Sequence, residues 1–195
     1  KWGRWRAYDG GGRGWGVTGW GAHAFDQVQR ALGTDDTDPV EVWLTEEPSP
    51  TAAVSLRYPS GTVLKLILPE GKGPGLGAVF VGEKGKIEIN RNRVASNPTE
   101  LVEGAPPPAD KSWTASLAHA HLRNWVDCMR TRETPVAGAE IGHRTSVICH
   151  QINICRELGR RLQWDPVKEE FQDDDEANQL RSRARRAGYE LPAAI

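Results

Sequence analysis

Apolar residues recur along the chain at two different spacings, and the change of spacing separates helices from strands. Over residues 21–32 they recur every three or four positions and Gly33 follows, which predicts a helix ended by a glycine. Between residues 40 and 96 they form short runs bounded by turn-forming residues, which predicts a series of strands. Helical spacing returns over 117–131 and 138–161, with one stripe formed by Leu122, Trp125, Val126 and Met129 and another by Ile141, Ile148, Ile152 and Cys155.

The turns between the predicted strands are too short for crossover connections, so neighbouring strands are expected to be antiparallel. The order of helix, strand meander and helices predicts an α+β fold: a mostly antiparallel, open-faced sheet of roughly five or six strands with helices on one face. The strand at 62–68 carries apolar residues on both sides, with Val63 and Ile67 on one of them. That side needs a partner, and we expect a second copy of the chain, giving a homo-oligomer.

The chain is expected to form a single substrate-binding and oligomerisation domain over residues 1–195. Within it we predict a Gly/Trp-rich strap at 1–20, the sheet at 40–96, a Pro-rich connector at 97–111 and a helical part at 117–186. The last predicted helix covers 173–185, where acidic residues precede basic ones in the order that complements a helix dipole. This run is therefore interpreted as a solvated helix and not as a nucleic-acid patch.

Composition limits the classes of partner. Hydrophobic residues make up 38% and charged residues 26% of the chain, and the net charge is -1, so neither nucleic acid nor a membrane is an expected partner. The start at Lys1 has no Met and no apolar signal segment, which suggests a fragment or a processed chain. A cytoplasmic location is favoured, with export of the full-length protein left open.

The three cysteines, Cys128, Cys149 and Cys155, fit no zinc or disulfide framework and are expected to be reduced and partly buried. His119 and His121 point away from each other on a helix, so no metal site is predicted.

Tryptophan is unusually frequent, with eight residues, four of them within residues 2–20. These either anchor an extended strap or form a platform for the apolar face of a sugar, and the sequence leaves both open.

The strongest candidate for chemistry is His23, which a glycine-rich segment precedes and which falls in the first turn of the first predicted helix. A neutral imidazole there can accept the proton of a substrate hydroxyl as hydride leaves the same carbon. Asp26, three residues later, is a neighbour on the helix surface and could orient the ring or contact hydroxyl groups. Considered alone, a histidine at a helix start is also often a capping or packing residue.

This stretch resembles the C-terminal domain of the Gfo/Idh/MocA family, which includes glucose–fructose oxidoreductase and inositol dehydrogenase. Members typically carry a glycine-rich segment, Asp-x-x-x-His, an Asp three residues after the His, and a helix that ends near Leu-Gly. Here Gly10–Gly12, His23, Asp26 and Leu32-Gly33 match that pattern. The similarity extends to four further segments: Glu83-Lys84-Gly85, residues 121–132, Gly142-His143-Arg144, and Leu162-Gln163-Trp164-Asp165-Pro166.

The resemblance implies the substrate side of a nicotinamide-dependent oxidoreductase that acts on a secondary alcohol of a sugar, glycoside or cyclitol. It implies His23 as the catalytic residue. Substrate-binding residues would be Asp26, Trp20, Tyr8, Arg13, Trp15 and His143. NAD or NADP is implied for the full-length protein, held by a missing N-terminal Rossmann domain. The chain alone is expected to bind no cofactor and to be inactive.

Two departures from the family pattern keep an alternative open. The Asp expected four residues before the His falls on Gly19, and the family's catalytic Lys belongs to the nucleotide-binding half. No glycine-rich segment follows an apolar strand, as a dinucleotide fingerprint requires. The alternative is a non-redox relative that serves as a carbohydrate-binding, lyase-like or assembly domain.

Overall fold

A computed structural model describes residues 16–66, 77–90, 93–104, 113–182 and 184–190. A π-helix covers Gly16–Gly21 and a 3-10 helix covers Thr99–Val102. The α-helices are α1 (Ala22–Leu32), α2 (Trp113–Thr131), α3 (Ala139–Leu158) and α4 (Asp175–Gln179). The strands are β1 (Glu41–Leu44), β2 (Val54–Arg57), β3 (Val63–Leu66), β4 (Ala78–Gly82), β5 (Gly85–Asn90), β6 (Arg93–Asn97), β7 (Leu162–Asp165) and β8 (Glu170–Phe171).

The chain divides into two compact units, and each has its own antiparallel sheet. One unit contains residues 1–38 and 67–149, with strands in the order β4-β5-β6. The other contains residues 39–66 and 150–195, with strands in the order β3-β2-β1-β7-β8. The predicted antiparallel α+β class is therefore confirmed. The six strands predicted at 40–96 exist, but β1–β3 are joined by β7 and β8 and not by β4–β6.

One face of the five-stranded sheet forms the apolar core of its unit. In β1, Val42 lies opposite Leu56 of β2 and Leu162 of β7, and all three side chains are buried. Ile152 and Cys155, in the second half of α3, are fully buried as well. Strand alternation places these strand residues on one side of the sheet, so polar positions fall on the other.

The outer face of this sheet is polar and centres on Trp43. The guanidinium groups of Arg57 and Arg161 lie 5.4 and 4.7 Å from its ring centre. The Glu41 carboxylate accepts hydrogen bonds from Arg57 (2.9 Å), Arg161 (2.5 Å) and Gln163 (2.9 Å). Burial alone would raise the pKa of Glu41, but these bonds hold it below its usual value. Each cation is thus held by both a carboxylate and a π-face.

Strand β3 places Val63 on this outer face, directly across from Arg57, with 37% of the residue exposed. Ile67, the other member of the predicted apolar pair, lies outside the described residues. The described part of the face therefore carries an isolated valine among charged groups.

The segment after α3 differs from the predicted helical part, because it contains β7 and β8 and only one turn and a half of helix. Asp174 caps α4 by accepting from the Ala177 amide at 3.0 Å, and Arg160 binds the Asp174 carboxylate. Beyond Gln179 the described residues form no further helix, and turns occur only at 180–181 and 187–188. Arg181 and Arg185 would be like charges one helical turn apart, which disfavours continuing the helix.

In the other unit, α1 ends as predicted, with Gly33 in the left-handed conformation (φ 68°). The buried Gln29 amide donates to the carbonyls of Thr34 and Thr37, both at 3.0 Å, and so fixes the turn that follows. At the end of that turn the fully buried Asp38 carboxylate accepts from Arg144 of α3 at 2.8 Å.

Helix α2 corrects one sequence-based expectation. The apolar stripe predicted on one side of α2 is largely exposed: Leu122 and Trp125 are each 53% exposed and Met129 is 45% exposed, whereas Cys128 is buried. In α3, by contrast, Ile148, Ile152 and Cys155 are buried as predicted.

Of the predicted connector at 97–111, the first part forms the 3-10 helix and residues 105–111 lie outside the described residues. None of the helices in the described ranges is long and apolar enough to cross a membrane.

Candidate functional site

The candidate catalytic residue, His23, is the second residue of α1, and α1 is continuous with the π-helix before it. Gly21 at the junction is already helical (φ −62°, ψ −36°). The prediction of a loop that extends to residue 20 is therefore wrong for Gly16–Gly21, where the backbone is helical. A π-turn widens the helix by one residue, and such turns occur often at functional sites.

Helix α1 separates an exposed polar side from a buried apolar side. Phe25 and Val28 are buried at 3% and 4% exposure, whereas His23 and Asp26 are exposed. Residues three apart on a helix are surface neighbours, so His23 and Asp26 occupy neighbouring positions on the exposed side of α1. The Gln27 side-chain amide donates to the His23 carbonyl at 2.8 Å, which ties the first turn to the next one.

The other predicted substrate-binding residues are placed only in part. Trp20 lies in the π-helix three residues before His23, but its side chain is not among the described atoms. Tyr8, Arg13 and Trp15 lie outside the described residues. His143 is exposed on α3, a different helix from the one that carries His23.

Gly19 stands where the family pattern has an aspartate. It is exposed, and no described atom lies within 4 Å of the point that a Cβ would occupy. A longer side chain would fit there, so the glycine is not forced by crowding from the described residues.

One contact that the sequence did not suggest anchors the π-helix. The Val17 carbonyl accepts a hydrogen bond from the Cys149 thiol of α3 at 3.4 Å, and the thiol also lies 3.5 Å from the Thr145 carbonyl. Val17 and Cys149 are 4% and 2% exposed. Burial raises the pKa of Cys149 to about 12, so the thiol stays protonated and can donate. Local sequence patterns give no signal for a bond between residues 132 positions apart.

The described glycines near His23 do not fit a dinucleotide site, because Gly16 and Gly19 lie inside a π-helix and not in a turn from strand to helix. Among the residues that the structure describes, no group of three or more His, Cys, Asp or Glu side chains could hold a metal ion.

The described part of the chain combines antiparallel sheets with helices, and its first helix carries an exposed histidine and an exposed carboxylate. The family model described as "Oxidoreductase family, C-terminal alpha/beta domain" matches residues 2–191. The chain therefore belongs to the Gfo/Idh/MocA oxidoreductase family and corresponds to its C-terminal domain. No curated protein and no solved structure matches the chain.

Proposed function

We propose that this chain forms the substrate side of an NAD- or NADP-dependent oxidoreductase that acts on a secondary alcohol of a sugar, glycoside or cyclitol. The observation that carries the proposal is the exposed His23 in the first turn of α1, within a domain of an oxidoreductase family. Asp26, exposed on the same helix face, is placed to bind a second hydroxyl group.

In this proposal His23 handles the proton of the reaction. A nicotinamide bound by a separate N-terminal domain would accept the hydride from the carbinol carbon, and no residue described here is assigned to hold it. As the carbinol C–H bond breaks and a carbonyl forms, the His23 imidazole accepts the hydroxyl proton. The side chains of Asp26, Trp20, Tyr8, Arg13, Trp15 and His143 are the proposed contacts to the substrate.

Gly19 leaves the proton relay one carboxylate short of the family pattern. Its surroundings are open among the described atoms, so a water molecule can occupy the place. We assign completion of the relay to such a water or to a lysine of the N-terminal domain.

A second proposal concerns assembly, and the polar outer face of the five-stranded sheet favours it. Arg57 and Arg161 flank Trp43 and share the Glu41 carboxylate, so both signs of charge surround one aromatic ring. Such a mixed face can be complementary to itself about a two-fold axis. We propose that a second copy of the chain covers this face. The same contact would form if the chain were a non-redox assembly domain.

The catalytic assignment is tested by replacing His23 with Asn in the full-length protein. Asn keeps polarity but cannot take up the proton, so we expect kcat to fall by about 10²–10⁴-fold, with a smaller change in KM. Steady-state kinetics with a panel of sugars and polyols and with NAD and NADP measures both constants.

The matched control is His119→Asn, which also removes an exposed helical histidine but lies on α2. We expect it to leave kcat and KM unchanged. If His23→Asn turns over as fast as this control while folding normally, His23 is not the proton acceptor. If the full-length protein binds sugars without turnover under any cofactor, the non-redox alternative replaces the redox proposal.

A further inference from the structure

A buried thiol donates a hydrogen bond to a carbonyl of the π-helix that precedes His23. Cys149 donates to the Val17 carbonyl at 3.4 Å, and both residues are almost completely buried. Val17 is thus a buried residue in a six-residue segment in which Gly16, Gly19 and Gly21 have no side chain. At glycine positions only backbone interactions can fix the chain, so a hydrogen bond to the backbone contributes to holding this segment.

The bonded carbonyl is also close to the candidate site along the helix. A π-helix pairs the carbonyl of residue i with the amide of residue i+5, which for Val17 is the amide of Ala22. Ala22 is the first residue of α1 and directly precedes His23. A shift of the Val17 peptide therefore moves the first turn of α1, where the imidazole is attached.

We propose that Cys149 is a positioning residue that fixes the π-helix through the Val17 carbonyl and thereby fixes the place of His23. What His23 does once it is placed rests on the proposed function. The anchoring of the π-helix by Cys149 does not depend on it.

The thiol suits this role because it donates without carrying charge. With a pKa of about 12 it is protonated throughout the physiological range. The second carbonyl within reach, that of Thr145 at 3.5 Å, belongs to the preceding turn of α3 and so keeps the sulfur directed along its own helix.

The same helix offers a matched control. Cys155 is also buried and reduced, burial raises its pKa to about 12 as well, and its thiol donates to the Arg160 carbonyl at 3.3 Å. That carbonyl lies at the other end of α3, in the unit that does not contain His23. Removing either thiol removes a sulfur-to-carbonyl hydrogen bond made from α3, but only the thiol of Cys149 reaches the π-helix.

The experiment compares Cys149→Val and Cys155→Val, which keep an apolar side chain, enlarge it equally at both sites and remove the donor, with Cys149→Ser, which restores a donor. Amide hydrogen exchange in the full-length protein reports the segment directly. We expect exchange over residues 16–25 to become about fivefold faster in Cys149→Val, to stay unchanged in Cys155→Val and to return towards the original rate in Cys149→Ser.

Kinetics on the same variants separates positioning from general stability. If His23 is catalytic, Cys149→Val should lower kcat by about tenfold with little change in KM, and Cys155→Val should not, even though both lose similar stability. Unchanged exchange over residues 16–25 in Cys149→Val, or an equal increase in Cys155→Val, overturns the positioning role. A third outcome separates the two proposals: exchange over residues 16–25 changes in Cys149→Val, but kcat is unaffected in both Cys149→Val and His23→Asn. This outcome would refute the catalytic assignment of His23 and leave the anchoring role of Cys149 intact.

Discussion

Arg144 has two carboxylate partners that differ in exposure, and they should contribute unequally to stability. Its guanidinium bonds to Asp38, which is fully buried, and to Glu140, whose side chain is 63% exposed, both at 2.8 Å. Burial lowers the pKa of Arg144, but the two carboxylates outweigh this and leave the pKa above its usual value. The arginine is therefore charged wherever the protein is folded.

We expect Asp38→Ala to lower the free energy of unfolding by about 3 kcal/mol, because it leaves a mostly buried cation without its buried partner. Glu140→Gln, which removes the exposed partner of the same arginine, should cost less than about 1 kcal/mol. Urea denaturation of the two variants measures both values. Equal losses of unfolding free energy in the two variants would show that burial of the partner does not determine how much each ion pair of Arg144 contributes to stability.

At the scale of single residues, the sequence predicted those features that follow from the spacing of apolar residues along a helix. Helical spacing predicted an apolar face of α1, and Phe25 and Val28 are buried on it. The bond from Cys149 to Val17 joins segments far apart in the chain, so it depends on tertiary packing that no local pattern encodes.

Among the elements, the turn between β4 and β5 depends on Gly85. Gly85 has a φ of 141°, and a Cβ there would lie 2.2 Å from the Asn97 carbonyl oxygen on β6. Gly82 pairs with Gly85 across the turn, but no described atom lies within 4 Å of its Cβ position.

Gly85→Ala should therefore destabilise its unit by about 2–3 kcal/mol, since the new methyl group meets backbone and the φ value is strained for L residues. Gly82→Ala, the paired position, should change stability by no more than about 0.5 kcal/mol. Thermal unfolding followed by circular dichroism compares them. A loss in Gly82→Ala as large as in Gly85→Ala would contradict the steric explanation.

Strand and turn signals predicted the six strands between residues 40 and 96, but not their division between two sheets, because a short turn fixes the pairing only of the two strands that it joins. They could not predict that β1 also pairs with β7, since Val42 and Leu162 are brought together only by the fold. The stripe of α2 failed for a related reason: apolar spacing shows that a helix has an apolar side, but not which side packs against its unit.

For the molecule as a whole, the proposed assembly face can be tested at Val63. Val63→Glu places a carboxylate across from Arg57, and such an opposite-charge pair is tolerated between neighbouring strands. In an interface formed on this face, however, the new carboxylate would be a buried charge. We expect the dissociation constant of the oligomer to rise by at least about tenfold without unfolding. Sedimentation velocity over a range of concentrations measures it.

The control is Val79→Lys on β4, an exposed valine of the three-stranded sheet that lies across from Glu88. It should leave the oligomeric state as it is. If Val63→Glu behaves like this control, or if the original protein sediments as a monomer, the second copy does not bind on the five-stranded sheet.

The order of strands β3-β2-β1-β7-β8 has a consequence for the protein's synthesis. Glu41 and Gln163, bonded side by side in the finished sheet, lie 122 residues apart in the chain. While the ribosome makes the intervening residues, β1 has β2 on one side and an open edge on the other. The three-stranded sheet, whose strands follow one another directly, can form during that interval. Closure of β7 against β1 is thus a late, long-range step of maturation, and the nascent chain is most exposed to mispairing just before it.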